Sequence, residues 1–156
     1  MSAADKLAVA ECLYRYAAGV DTRDWVMYRS AFADEVEFDF SGYEAGRAPV
    51  TMAADDWVAR VRPQFEGLAA TQHMMSNPLA ELAGDSAEIT MYVRAHHVLD
   101  PGDPESFYTI GGFYRNRLVR EHGGWKLVRV KLTVTWRLGH PEIMDAARAR
   151  HLSPGA

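Results

Sequence analysis

The chain has 156 residues, 48% of them hydrophobic and 24% charged, with a net charge of −4. That length suits one domain with a sizeable core, and the absence of any Lys/Arg-rich run or basic arm argues against nucleic acid or an anionic membrane surface as partner. No apolar run reaches the roughly 18 residues of a membrane span, residues 1–5 lack a signal-peptide pattern, and the single cysteine, Cys12, leaves no internal disulfide or multi-cysteine metal site. A cytoplasmic location is the default expectation.

In chain order, the first half reads helical. Leu13, Tyr14, Ala17 and Val20 or Asp21 recur at spacings of three and four, forming a helix stripe from residue 10. Thr22 is a candidate N-cap for a second helix that would bury Trp25, Tyr28 and Phe32. Residues 36–40 alternate apolar and acidic like a short strand, with turns at Ser41-Gly42 and Gly46. A third helix over 53–62 would bury Trp57, Val58 and Val61 and stop or kink at Pro63.

The second half reads as strands. Residues 71–82 form one, interrupted by Pro78. Residues 87–99 form the next, with Ile89, Met91, Val93, Ala95 and His97 on one face. A third covers 107–120, where Gly111-Gly112 suggests a bulge. After a turn at Gly123-Gly124, a fourth covers 125–136 with Val128, Val130, Leu132 and Val134 on one face. A terminal helix spans 143–151. Helices followed by an antiparallel meander predict an α+β domain, its N-terminal helices packed on a strongly curved sheet. The mouth of such a cone is a natural small-molecule pocket.

Two residues stand out chemically. Asp21 extends the first stripe and so turns toward the core, where a carboxylate needs a partner. His73 shares a strand face with Thr71, Met75 and Asn77. Paired, the carboxylate would fix one ring nitrogen and leave the other as a general base. The structural alternatives are a helix-end carboxylate satisfied by local backbone or Arg23, and a core histidine held by one hydrogen bond. His97 faces the apolar side, where it could donate to a substrate oxygen or simply pack; His96 faces away. Tyr14 and Tyr114 are either polar handles in an apolar pocket or core residues. Arg115, Arg117, Arg129 and Lys131 read as a solvated or intersubunit sheet face. No Gly-x-Ser-x-Gly elbow, phosphate-binding glycine loop or plausible metal cluster is present in the sequence.

Three stretches carry a family resemblance: Tyr14-x-Tyr16-Ala17-x-x-x-Asp21-x-x-Asp24-Trp25, Thr71-Gln72-His73, and Gly123-Gly124-Trp125-Lys126-Leu127 with Trp136-Arg137. The chain resembles the scytalone dehydratase group of the SnoaL-like, nuclear-transport-factor-2-like superfamily. It is also similar to hexachlorocyclohexane dehydrochlorinase, whose Ile-Gly-Gly strand matches Ile110-Gly111-Gly112. The resemblance implies a cone-shaped α+β barrel as a single SnoaL-like domain over 1–156, without cofactor or metal, and a homo-oligomer, trimer or dimer. It implies a lyase of dehydratase type acting on a small apolar or aromatic substrate, with His73, Asp21 and His97 catalytic. The positions that touch substrate in the relatives fall on or near Val20, Phe40, Gly112 and Tyr114, and Tyr16 replaces a lysine; Tyr14, Trp25 and Met75 complete the expected lining. An isomerase or polyketide cyclase would use the same dyad, and a non-catalytic ligand-binding module would use the same fold.

Overall fold

The computed structural model describes residues 2–153. Helix α1 (Ala3–Thr22) starts in a capping box, in which Ser2 and Asp5 satisfy each other's backbone N–H groups. Its buried stripe runs through Val9, Leu13, Tyr16 and Val20, so Tyr16 turns inward while Tyr14 is 38% exposed. Thr22 is not a cap: it ends α1, and its hydroxyl donates to the Ala18 carbonyl at 2.7 Å. Asp24 caps the short α2 (Trp25–Ser30) instead, accepting from the Met27 N–H at 2.8 Å.

Strand β1 (Phe32–Gly42) begins earlier than the alternation predicted, so Phe32 belongs to the sheet rather than to α2. Then come β2 (Val50–Ala53), which the sequence did not signal, and α3 (Ala54–Glu66). Pro63 lies inside α3, which continues past it at the loss of one backbone bond. The four long strands β3 (Ala70–Ala83), β4 (Ser86–Val98), β5 (Phe107–Glu121) and β6 (Gly124–Gly139) form the expected antiparallel meander, and α4 (Ile143–Leu152) follows.

The sheet order is β2-β1-β6-β5-β4-β3. It is six-stranded and open, the expected α+β arrangement, and besides the antiparallel meander β1 joins β6 in parallel. Around Asn77, with φ +55°, β3 shifts register between Ser76 and Leu79, a bulge beside Pro78 that a central strand could not absorb. The bulge near Gly111-Gly112 puts its extra residue, Thr135, on β6. A second extra residue on the same strand is Val128. That rotates Val128 out of the inner row, while Trp125, Leu127, Val130 and Leu132 stay buried.

The core lies between α1–α3 and the inner sheet face. Phe32, Phe38, Ile89, Met91, Leu118 and Leu127 are almost wholly buried, each contributing about 1.5–3 kcal/mol of apolar transfer. On the outer face Arg129 and Lys131 meet Asp39, Lys131 Nζ at 3.1 Å, so these cations are paired within the chain. Among the described residues no helix is long and apolar enough to cross a membrane.

Candidate active site

Asp21 lies in the last turn of α1, where the helix dipole disfavours a negative charge. Three donors compensate. The backbone N–H of His73 reaches Asp21 Oδ2 at 2.6 Å, the Thr71 hydroxyl reaches Oδ1 at 3.0 Å, and His73 Nδ1 lies 2.7 Å from Oδ1. Burial pushes the Asp21 carboxyl up, but the bonds and charge from His73, with Thr71, outweigh it and hold the group below the ordinary carboxylate range. An ionised Asp21 only accepts, so His73 Nδ1 carries a proton, and in the neutral ring the lone pair is on Nε2. The two side chains are 18% and 6% exposed.

His73 opens onto a cavity of about 640 Å³, a size suited to a small organic molecule. Its buried part includes Tyr16 from α1, His97 from β4 and Tyr114 from β5. The His73 and His97 rings are 5.6 Å apart at 90°, with Phe65 of α3 6.0 Å from each. His97 Nδ1 is 3.0 Å from the Tyr108 carbonyl. A carbonyl can only accept, so that nitrogen is the protonated one and Nε2 is an acceptor. Burial, and then the charge of nearby His73, pull His97 down to about 4. It is therefore neutral at neutral pH and offers the cavity a lone pair, not the proton expected of it.

The donors in the cavity are phenols. Tyr16 and Tyr114 hydroxyls are 3.3 Å apart, and burial raises both groups above the usual tyrosine range, so both keep their protons. In such a pair one hydroxyl donates to the other, which leaves one proton for a neighbouring acceptor or a guest oxygen; Tyr28, whose hydroxyl accepts from Trp57 Nε1 at 3.0 Å, borders the same cavity. Phe40 and Trp57 form an aromatic wall, stacked at 5.4 Å and 15°. Exposed or half-exposed charges, Glu44, Arg47, Arg60, Asp145 and Arg148, also border the cavity.

Of the sequence candidates, Tyr16, Phe40, His73, His97 and Tyr114 line this cavity and Asp21 backs it. Five others do not. Tyr14 lies on the outer side of α1, and Val20 is packed in the core. Trp25 borders an outer groove and donates from Nε1 to Glu66 at 2.8 Å. Met75 and Gly112 border a depression with exposed Tyr92 and Trp136. Trp57, Phe65 and the α4 side chains were not anticipated as lining; the Trp57–Val61 spacing of α3 was the available signal for the first.

With this geometry in place, the fold and the cavity define an α+β domain of the cone type with an aromatic-lined pocket. The SnoaL-like domain model matches residues 1–131, and the chain belongs to that family. The "Terrestric acid biosynthesis cluster protein E" of Penicillium crustosum is 25% identical over 145 residues, 86% of each chain. The solved Kfla4162 protein of Kribbella flavida is 30% identical with a TM-score of 0.82, covering 93% of this chain and 97% of that one. Two Novosphingobium aromaticivorans structures share the fold. One, described as a "putative aromatic ring hydroxylase", is 23% identical (TM-score 0.78; 92% and 99% covered). The other, described as "Putative Scytalone Dehydratase", is 20% identical (TM-score 0.70; 85% of each).

Proposed function

We propose that the protein is a cofactor-independent lyase of dehydratase type that acts on a small cyclic hydroxy-ketone. The observation that carries this reading is the 2.7 Å contact of His73 Nδ1 with a carboxylate already held by two other donors, at the wall of an aromatic-lined cavity. His73 Nε2 takes a proton from the carbon next to the substrate carbonyl. The C–H electron pair becomes the enolate, whose oxygen takes the free proton of the Tyr16–Tyr114 pair as a hydrogen bond. The enolate then collapses to a carbon–carbon double bond and expels the β-hydroxyl. That group leaves as water with the proton returned by the His73 imidazolium, and the base is regenerated. Asp21 stabilises the imidazolium in between, and base catalysis of this kind contributes roughly 10²–10⁴-fold. His97 Nε2 accepts from a substrate hydroxyl. Family membership and a relative named for a biosynthesis cluster support small-molecule conversion.

The test is deuterium uptake from D₂O by a panel of cyclic ketones and hydroxy-ketones, read by NMR and mass spectrometry for wild type and His73→Ala. Exchange with water loss that disappears in the variant supports a dehydratase. Exchange without water loss turns the reading toward an isomerase or cyclase. Binding without exchange in the wild type overturns it in favour of a binding module.

A further inference from the structure

Arg23 follows the last residue of α1 in the left-handed region, φ +60°. A non-glycine residue pays for that conformation, so something must hold it there. Its guanidinium donates to the Val20 carbonyl at 2.6 Å and to the Leu68 carbonyl, just before β3, at 3.4 Å. It thus closes the carbonyl end of α1 and ties it to the approach of β3, the two elements that bear Asp21 and His73. The same guanidinium nitrogen that serves Val20 also donates to Thr71 Oγ1 at 2.9 Å.

That last contact fixes a proton. A threonine hydroxyl has one hydrogen, and a guanidinium can only donate. With a lone pair of Thr71 engaged by Arg23, the Thr71 proton is directed to Asp21 Oδ1, 3.0 Å away. Oδ1 is also the atom that receives His73 Nδ1. We infer that Arg23 and Thr71 are positioning residues that, together with the His73 N–H on Oδ2, fix the plane of the Asp21 carboxylate, and through it the rotamer and tautomer of His73. The relay runs guanidinium, hydroxyl, carboxylate, imidazole, and only its last member faces the cavity. The inference rests on the reading of His73 as the base.

The relay is tested with Thr71→Val, which keeps the shape and removes the hydroxyl, Thr71→Ser, which keeps the hydroxyl, Arg23→Ala, and the Arg23→Ala/Thr71→Val double variant. Two readouts are taken, with circular dichroism as the control for folding. The first is the downfield proton signal of His73 Nδ1 in ¹⁵N-histidine-labelled protein without substrate. It is expected in wild type and Thr71→Ser, and broadened or lost in Thr71→Val and Arg23→Ala. The second is exchange kinetics: Thr71→Val lowers kcat roughly tenfold or more at unchanged KM, Thr71→Ser restores it, and the double variant is no worse than Thr71→Val because both break one chain. If Arg23→Ala does not fold, the Val/Ser pair decides. A folded Thr71→Val whose His73 signal is unchanged overturns the inference whether or not the wild type is active. Failure of the wild type to exchange any substrate overturns the reaction alone, because the proton signal is read without one.

Discussion

His73 and His97 stand on neighbouring strands with rings perpendicular and 5.6 Å apart, yet only His73 has a carboxylate behind it. His97 has a neutral carbonyl instead. This difference in backing gives His73 a charged partner, while His97, buried and facing His73, is pulled down to about 4.

Asp21→Asn tests the base. The amide keeps the shape, but its nitrogen cannot accept from the His73 N–H and its oxygen carries no charge to stabilise an imidazolium. Exchange should fall by about 10²-fold or more with substrate binding retained, as read by initial rates and by titration of a non-reacting analogue.

His97 makes stability depend on pH. Its folded value of about 4 lies below the ordinary 6.5. Between those values the unfolded chain binds more protons than the folded one, so stability is complete above about 6.5 and is lost as pH falls through the folded value. The loss is roughly 3 kcal/mol at full protonation. The Asp39 carboxyl, held down to about 2 by the Ser41 hydroxyl and then by Lys131 against the cost of burial, acts below this window. Urea titrations between about pH 4.5 and 7.5 should show a slope that His97→Gln flattens.

Tyr114→Phe and Tyr16→Phe test the phenol pair. Either change leaves the partner hydroxyl without its 3.3 Å neighbour and alters the donor available to a substrate oxygen. Loss of one such donor from a dry site costs up to about 10²-fold in kcat. Steady-state kinetics should place the loss in kcat rather than KM, and the double variant should be no worse than the more damaging single change.

Gly67→Ala tests how α4 is seated. A Cβ at Gly67 would stand 1.8 Å from the Ala147 carbonyl oxygen, and backbone cannot swing aside as a side chain can. We expect a loss of about 1–3 kcal/mol in chemical denaturation. Weaker substrate binding should accompany it, because α4 supplies Met144, Asp145 and Arg148 to the cavity.

What the sequence disclosed followed local periodicity. The β3–β6 meander and α4 were legible because alternation and helical spacing are properties of neighbouring residues. The parallel joining of β1 to β6 was not, since it links residues about ninety positions apart, such as Phe38 and Val130. Tyr14 and Tyr16 show the same limit at the site. Both lie near one helix stripe, and only the docking of α1 on the sheet decides which of them looks into the cavity. Val128 was placed on the wrong face because one extra residue in β6 shifts the alternation. Asp21 was identifiable because it extends an apolar helix stripe, whereas His73, on a face with Thr71, Met75 and Asn77, stood out only through the resemblance carried by Thr71-Gln72-His73.

Strand β3 is the last strand of an open sheet, paired only with β4. Its outer margin carries amides that no strand receives, and the His73 amide is one of them, taken by Asp21 Oδ2 at 2.6 Å. The carboxylate that orients the imidazole therefore also seals a stretch of unpaired backbone that would otherwise invite another chain to add on. A substitution at Asp21 releases two things at once, the imidazole of His73 and the strand margin on which His73 stands.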